Sequence, residues 1–372
     1  MANFTFNNIK IGGIAAAVPK NIEPTTNYND IFGVEEVEKF INLTGIKETR
    51  RTSKHQTCSD LGFVAAKKIL DERGIDPLEI GAIVFASHSP DYRRPATAFV
   101  LHKRLGMSTD AAAFDISLGC SSLIYGVQVL GSMMQSSNIS KALLITGDTA
   151  GKSVYPTDRS SVMLFGEAGG ALLLEKTEDK QSLIKSLVKS DGNGYRYMIV
   201  PGGGYRNLNP EEEIVECKDG NKRTLYNSFI QGTAVFTFTI FDVPKILKDF
   251  LKATKTAIDD YDSFAFHQAN LYILKQIAKK VKIPMEKMPI SLDRYGNTSG
   301  ASPLVSLITE YAHKQEKPVV KTLFCGFGIG VSWGVFSADV DTKYVYPIIE
   351  DDSIFEEGVI NSPNELYSGL TK

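Results

Sequence analysis

"DISLGCSSL", residues 115–123, joins the end of an apolar, β-rich run to the start of a helical pattern, with Cys120 at the junction. Free cysteine is among the most buried residue types and is mostly inert, so a catalytic reading of Cys120 needs support from the rest of the chain. Working outward, "DAAAFDIS" (110–117) is one of four short apolar stretches, with "EIGAIVFAS" (79–87), "KALLITG" (141–147) and "GGALLLE" (169–175). These have the composition of strands buried on both faces. Amphipathic stretches lie between them. "SDLGFVAAKKILDERG" predicts a helix N-capped by Ser59 and stopped at Gly74. Residues 120–136 set Leu123, Val127, Leu130 and Met134 at helical spacing, giving one apolar face.

A polar stretch, "EKTEDKQS" (175–182), separates this alternation from a second one. There the pattern predicts a helix near 228–256, a strand "DSFAFH" (262–267) and a helix from about 270. A turn "DRYGNTSG", a helix from about 301 and strands "VVKTLFCGF" and "VSWGVFSA" follow. Two α/β halves imply an internal duplication, with helices covering buried sheets. The expected division is 1–176, 177–340, and an acidic C-terminal extension over 341–372. That extension carries seven Asp or Glu against two Lys and reads as a wrapping tail. Residues 201–224, with "PGGGYRNLNP", are the longest irregular excursion and read as a surface lobe.

The chain has 372 residues, 43% hydrophobic and 23% charged, enough apolar material for a large core. Its 41 basic and 43 acidic residues leave a formal charge of −2 with no basic run, so there is no footprint for nucleic acid or for a polybasic membrane role. "MANFTFNNIKIGGIAAAVPK" lacks the basic start of a signal peptide, and no apolar run is long enough to span a bilayer. Four cysteines (Cys58, Cys120, Cys217, Cys325) without a CxxC pair predict a reducing, cytoplasmic setting and no disulfide framework. The five histidines have no ligand spacing, so no metal site is expected.

Amide groups at a helix start favour thiolate, and thiolate is the nucleophile. A thiol nucleophile also needs a partner base and donors for the oxyanion it creates. His267, in "FAFHQAN", closes a strand and in isolation reads as a capping or core histidine. Asn297, in "DRYGNTSG", in isolation reads as a turn residue. "GFGIGVSWG" (326–334) is either a tight turn or a place where backbone amides approach a substrate closely. It lacks GxGxxG spacing and precedes a strand, which excludes a dinucleotide loop. Taken together, Cys, His and Asn each sit at an element end of an α/β scaffold, the arrangement of a thiol-based acyl-transfer site. Papain-like peptidases share the order Cys, His, Asn, but their C-G-[SA]-C-[WY] pattern is missing at "LGCSSL". A non-catalytic binding role leaves the set unexplained.

On Cys120, "YPTDRSSVMLFGEAGGA" (155–171), "HQAN" (267–270), "YGNTSGASP" (295–303) and "GFGIGVSWG", the sequence resembles the thiolase-fold condensing enzymes, most closely the ketoacyl synthase III family. The resemblance covers roughly residues 8–340. It implies an α/β thiolase-like fold, two duplicated halves in a five-layer α-β-α-β-α arrangement. It further implies that an acyl thioester loads onto Cys120 and that His267 and Asn297 drive decarboxylation of a malonyl thioester. The backbone amides of Cys120 and Ile329 would form the oxyanion hole. Arg159, Phe236 and Asn270 match positions that contact the pantetheine or nucleotide of the donor. The implied enzyme is a cytoplasmic homodimer of fatty-acid or related lipid metabolism that uses acyl carrier protein and needs no metal or redox cofactor. A same-fold acyltransferase passing the Cys120-bound group to an alcohol or amine stays open.

Three departures bear on substrates. The family's adenine-stacking tryptophan is absent, with Phe40 nearby, and Leu43 stands where an arginine is expected, so the donor stays open between coenzyme A and a carrier protein. Ile329 replaces the glycine of the closest synthases III. "SPDYRRPATAF" (89–99) puts Arg93 and Arg94 in the loop that, by resemblance, closes the partner subunit's acyl pocket. There Arg94 either turns to solvent or faces the pocket and selects short, oxygenated or carboxylated starters.

Overall fold

The computed structural model describes residues 2–312, 314 and 317–367. The main strands are β1 (Ala2–Asn7), β2 (Ile9–Val18), β3 (Ala82–Ala86), β4 (Ala112–Ile116), β5 (Lys141–Asp148) and β6 (Ala168–Lys176). In the second half they are β7 (Leu183–Ser190), β8 (Ser263–Phe266), β9 (Val319–Gly328), β10 (Ser332–Asp341) and the short β11 (Ile349–Glu350). One sheet has the order β11-β2-β6-β5-β3-β4, with β3 parallel to both β4 and β5. The other runs β1-β7-β10-β9-β8, antiparallel except for the β8–β9 pair.

The helices that matter for the site are α1 (Val34–Thr44), α2 (Cys58–Arg73), α3 (Thr97–Leu105), α4 (Ser122–Ser136), α5 (Gly232–Thr254), α6 (Leu271–Val281) and α7 (Ser302–Tyr311). Alternation along each strand decides how they stack. On β3, Ala82, Val84 and Ala86 join a core with Leu123, Val127, Leu130 and Met134 of α4 and Leu304, Leu307 and Ile308 of α7. Ile83 and Phe85 face the other way, onto α2 and α3. The central core also takes Phe324 and Phe336 from the second sheet, whose far face packs on α5 and α6. The order is therefore helices, sheet, the α4 and α7 pair, sheet, helices: the five layers expected. Each fully buried leucine of α4 contributes roughly 1.5–3 kcal/mol, so Leu130→Ala would loosen the contact between both sheets.

Two local expectations shift. Helix α2 begins at Cys58 and is capped by Thr57 in a capping box with Asp60; Ser59 instead donates its hydroxyl to Asp91 at 2.8 Å. Helix α4 begins at Ser122, so Cys120 lies in the preceding turn. The excursion over 201–224 consists of turns and a small ladder, Val215–Glu216 against Lys222–Arg223. Buried Arg223 pins it to the "PTDR" segment through Asp158 at 2.6 Å and holds the Asp219 carboxyl down at about 2.

The acidic tail crosses back over the first sheet. β11 pairs in parallel with the end of β2, the Gln56 amide donates to the carbonyls of Asp351 and Ser353, and the Phe355 N–H donates to Asp60. Arg104 pairs with the same Asp60 at 2.8 Å and lies over the rings of Phe63 and Phe355. Residues 368–372 lie outside the described part of the tail. Among the described residues, no helix is long and apolar enough to cross a membrane.

Candidate active site

Cys120 follows β4 in a turn closed by the Ser122 N–H donating to the Gly119 carbonyl at 2.8 Å. It is 7% exposed. The "GFGIG" turn between β9 and β10 passes directly beneath it. A Cβ on Gly328 would lie 2.5 Å from the Cys120 Cβ and 3.1 Å from its sulfur, so only glycine lets the strand come this close. That approach brings Ile329 to the sulfur's surroundings. Neither the Cys120 nor the Ile329 amide donates to another acceptor among the described residues, leaving both free for a developing oxyanion.

His267 ends β8, its own N–H continuing the ladder to the Cys325 carbonyl at 2.8 Å. Phe327 meets the imidazole edge-on, ring centres 5.2 Å apart. Asn297 is fixed by main-chain bonds on both sides, its N–H to Leu164 and its carbonyl to Gly166. Both side chains line one narrow, largely apolar cavity of about 310 Å³ that also contains Cys120.

Ser299 ties the three together with three different atoms. Its N–H donates to Asn297 Oδ1 at 3.0 Å, which leaves the Asn297 amide NH₂ as the free end. Its carbonyl lies 3.0 Å from His267 Nδ1. A carbonyl only accepts, so Nδ1 carries the proton and Nε2 of the neutral ring keeps its lone pair. Its hydroxyl sits 3.7 Å from the Cys120 sulfur and 2.5 Å from Asp148 Oδ2. The backbone that permits this is left-handed, with φ at +52°, an uncommon state for a residue with a Cβ. Asp148, at the end of β5, also accepts from the hydroxyls of Ser87 and Ser89 and the N–H of His88.

Burial pushes the Cys120 thiol up to about 12; Asp148 adds to the rise and the Ser299 contact offsets part of it. Burial likewise pushes His267 down to about 4, against the opposing bond to the Ser299 carbonyl. Burial thus favours a neutral thiol and a neutral imidazole, against the pull toward thiolate expected from the helix that follows Cys120.

A second, wider cavity of about 750 Å³ meets the first at Cys120, Phe165 and Ile329. Its wall is more polar and includes His88, Ser89, Asp91, Asp148 and Lys152. Of the other residues singled out in the sequence, Phe236 and Asn270 line the narrow cavity. Phe236 stacks on Tyr272, and Asn270 caps α6 by accepting from the Ile273 N–H. Arg159 stands between that cavity and a broader surface hollow, paired with Glu36 of α1 at 2.9 Å. Phe40 and Leu43, also on α1, line the same cavity. Arg94 is exposed and donates to the Tyr205 hydroxyl, away from both cavities of its own chain.

The sequence reading did not single out Ser299, Asp148 or Lys152. Ser299 lies inside the quoted "YGNTSGASP", but its part depends on backbone atoms that a residue type does not reveal.

Residues 114–192 match the family described as "3-Oxoacyl-[acyl-carrier-protein (ACP)] synthase III", and residues 251–338 match its C-terminal part. A β-ketoacyl-[acyl-carrier-protein] synthase III of Caldanaerobacter subterraneus is 32% identical over 86% of this chain and 94% of its own. The chain belongs to the 3-oxoacyl-[acyl-carrier-protein] synthase III family. A putative member from Campylobacter jejuni is 31% identical over 92% of this chain and 96% of its own. The crystal structure of a 3-oxoacyl-(acyl-carrier protein) synthase from Burkholderia xenovorans superposes with a TM-score of 0.88 at 32% identity, covering 94% of this chain and 99% of that one. The protein is therefore a thiolase-fold condensing enzyme of the synthase III type, and its Cys-His-Asn cluster lies between the two sheets of that fold.

Proposed function

We propose that Cys120 is the acyl-accepting nucleophile of a decarboxylative Claisen condensation between an acyl thioester and a malonyl thioester, the latter carried by acyl carrier protein. The observation that supports this reading is the convergence of Cys120, His267 and Asn297 on one cavity, each held by a different atom of Ser299.

The proton positions order the steps. Nε2 of neutral His267 takes the thiol proton as the sulfur attacks the acyl carbonyl. The oxyanion is met by the amides of Cys120 and Ile329, and the carrier leaves as a thiolate that takes a proton from water. The malonyl thioester then occupies the narrow cavity. As carbon dioxide departs, its electron pair moves onto the thioester oxygen, where the Asn297 NH₂ and the proton now on His267 Nε2 stabilise the enolate. The enolate carbon attacks the acyl-cysteine, and the expelled Cys120 thiolate recovers the proton from His267. One solvent proton is consumed per turnover, as the overall equation requires.

Intact-protein mass after incubation with acyl-coenzyme A and acyl-carrier thioesters tests this directly. Wild type should gain one acyl group and Cys120→Ala none; an equal gain in the variant would remove the assignment. Acylation without release of carbon dioxide from labelled malonyl thioester would instead mark transfer to an alcohol or amine.

A further inference from the structure

The narrow cavity holds the groups that must reach the malonyl carbonyl, which leaves the 750 Å³ cavity for the acyl group on Cys120. Its wall is largely apolar, through Pro90, Phe165, Met198, Ile199 and Val200, with a few polar side chains set among them. Lys152 Nζ donates to the carbonyls of Lys54 at 3.1 Å and Gln56 at 2.5 Å. It forms no ion pair among the described residues, and an ammonium has three N–H groups, so one is left over. The residue is exposed at the cavity wall, and partial desolvation, opposed by the nearby Glu167, Asp60 and Asp91 carboxylates, disfavours its charged form. The His88 ring, exposed on the same wall, has no hydrogen-bond partner within the protein among the described residues.

Resting on the function proposed above, we infer that this cavity selects a hydroxylated acyl starter, with Lys152 donating to the hydroxyl oxygen and His88 placed to accept its proton. The alternatives fit less well. An aliphatic chain would strip water from the Lys152 ammonium and return no acceptor. A dicarboxylic starter would bring a third carboxylate to a wall whose own chain already sets Asp91 and Asp148 against one ammonium. A hydroxyl supplies both an acceptor and a donor and adds no charge.

Butyryl, 3-hydroxybutyryl and succinyl thioesters of coenzyme A isolate the effect, since all three acyl groups have a four-carbon chain. Acylation of Cys120, followed by intact mass, should be ~10-fold or more faster with 3-hydroxybutyryl than with either other donor, the preference expected of a site built to bond a hydroxyl. In Lys152→Met the 3-hydroxybutyryl to butyryl ratio should fall below about three. Butyryl or succinyl matching 3-hydroxybutyryl in wild type would overturn the inference while leaving Cys120 as nucleophile, and so would an unchanged ratio in Lys152→Met. Failure of all three acyl groups to load onto Cys120 from coenzyme A and from acyl carrier protein alike would instead overturn the nucleophile assignment, and the starter inference with it.

Discussion

The hydroxyl of Ser299 lies 2.5 Å from Asp148 and 3.7 Å from the sulfur of Cys120. It has one proton for two acceptors. The carboxylate is nearer and charged, so at rest the hydroxyl donates mainly to Asp148, and what it offers the sulfur offsets only part of the rise that burial and Asp148 impose on the thiol. Asp148→Asn reverses this. Oδ1 keeps the three donors from Ser87, His88 and Ser89, while an NH₂ in place of Oδ2 donates to Ser299 and frees its proton for sulfur. The Cys120 alkylation rate, measured with iodoacetamide against pH in a Cys217→Ser background, should keep climbing past pH 9 in the otherwise native enzyme. In Asp148→Asn its midpoint should fall by ~1 unit or more. A native rate already level below pH 8 would mean a resting thiolate.

His267 and Asn297 should separate kinetically. Only His267 has a lone pair for the thiol proton, whereas both face the enolate. His267→Ala should slow both acylation and carbon dioxide release by ~100-fold, and Asn297→Ala should slow carbon dioxide release alone by a similar factor. Equal loss of acylation in the two variants would place Asn297 in the first half-reaction as well.

The buried imidazole also makes stability depend on pH. An unfolded histidine takes a proton near 6.5, but His267 in the folded chain takes one only near 4. Between those values the unfolded chain binds more protons, so stability is full above about pH 6.5 and declines as pH falls toward 4, by about 2–3 kcal/mol. The urea midpoint of wild type should therefore drop more between pH 7 and 4.5 than that of His267→Gln. Parallel drops would assign the acid sensitivity to other groups.

Gly328→Ala tests the close approach at the sulfur. Its Cβ would need to share space with the Cys120 Cβ 2.5 Å away, so either the turn or the nucleophile must move. Acylation should fall by ~100-fold or more, at a stability cost of about 1–3 kcal/mol. Near-native acylation would show that the turn yields without disturbing the thiol.

The layers were legible because doubly buried strands leave continuous apolar runs. "EIGAIVFAS" contains β3 and "KALLITG" nearly coincides with β5. The misplaced cap at α2 has a local cause. Ser59 is by type the stronger cap, and Asp60 three residues after Thr57 tips the choice to Thr57. What could not be read is non-local. Ser299 acts largely through its N–H and carbonyl in a left-handed turn, and Lys152 reaches the wide cavity only because β5 ends beside Cys120. The two-residue β11 is too short to carry a period and exists only as an edge added to β2.

That edge, together with the first strand, makes the chain a closed clasp. β1 is the outer strand of the second sheet and pairs with β7, nearly two hundred residues downstream, while β11, late in the chain, adds the outer edge beside β2. A polypeptide emerging from the ribosome holds β1 without its partner until residues 183–190 appear and leaves one flank of β2 unpaired until residues 349–350 follow. Such long sequence separations make folding slow. Fragments cut between β6 and β7 would each lack an outer strand, so the cluster around Ser299 assembles only after nearly the whole chain has been made.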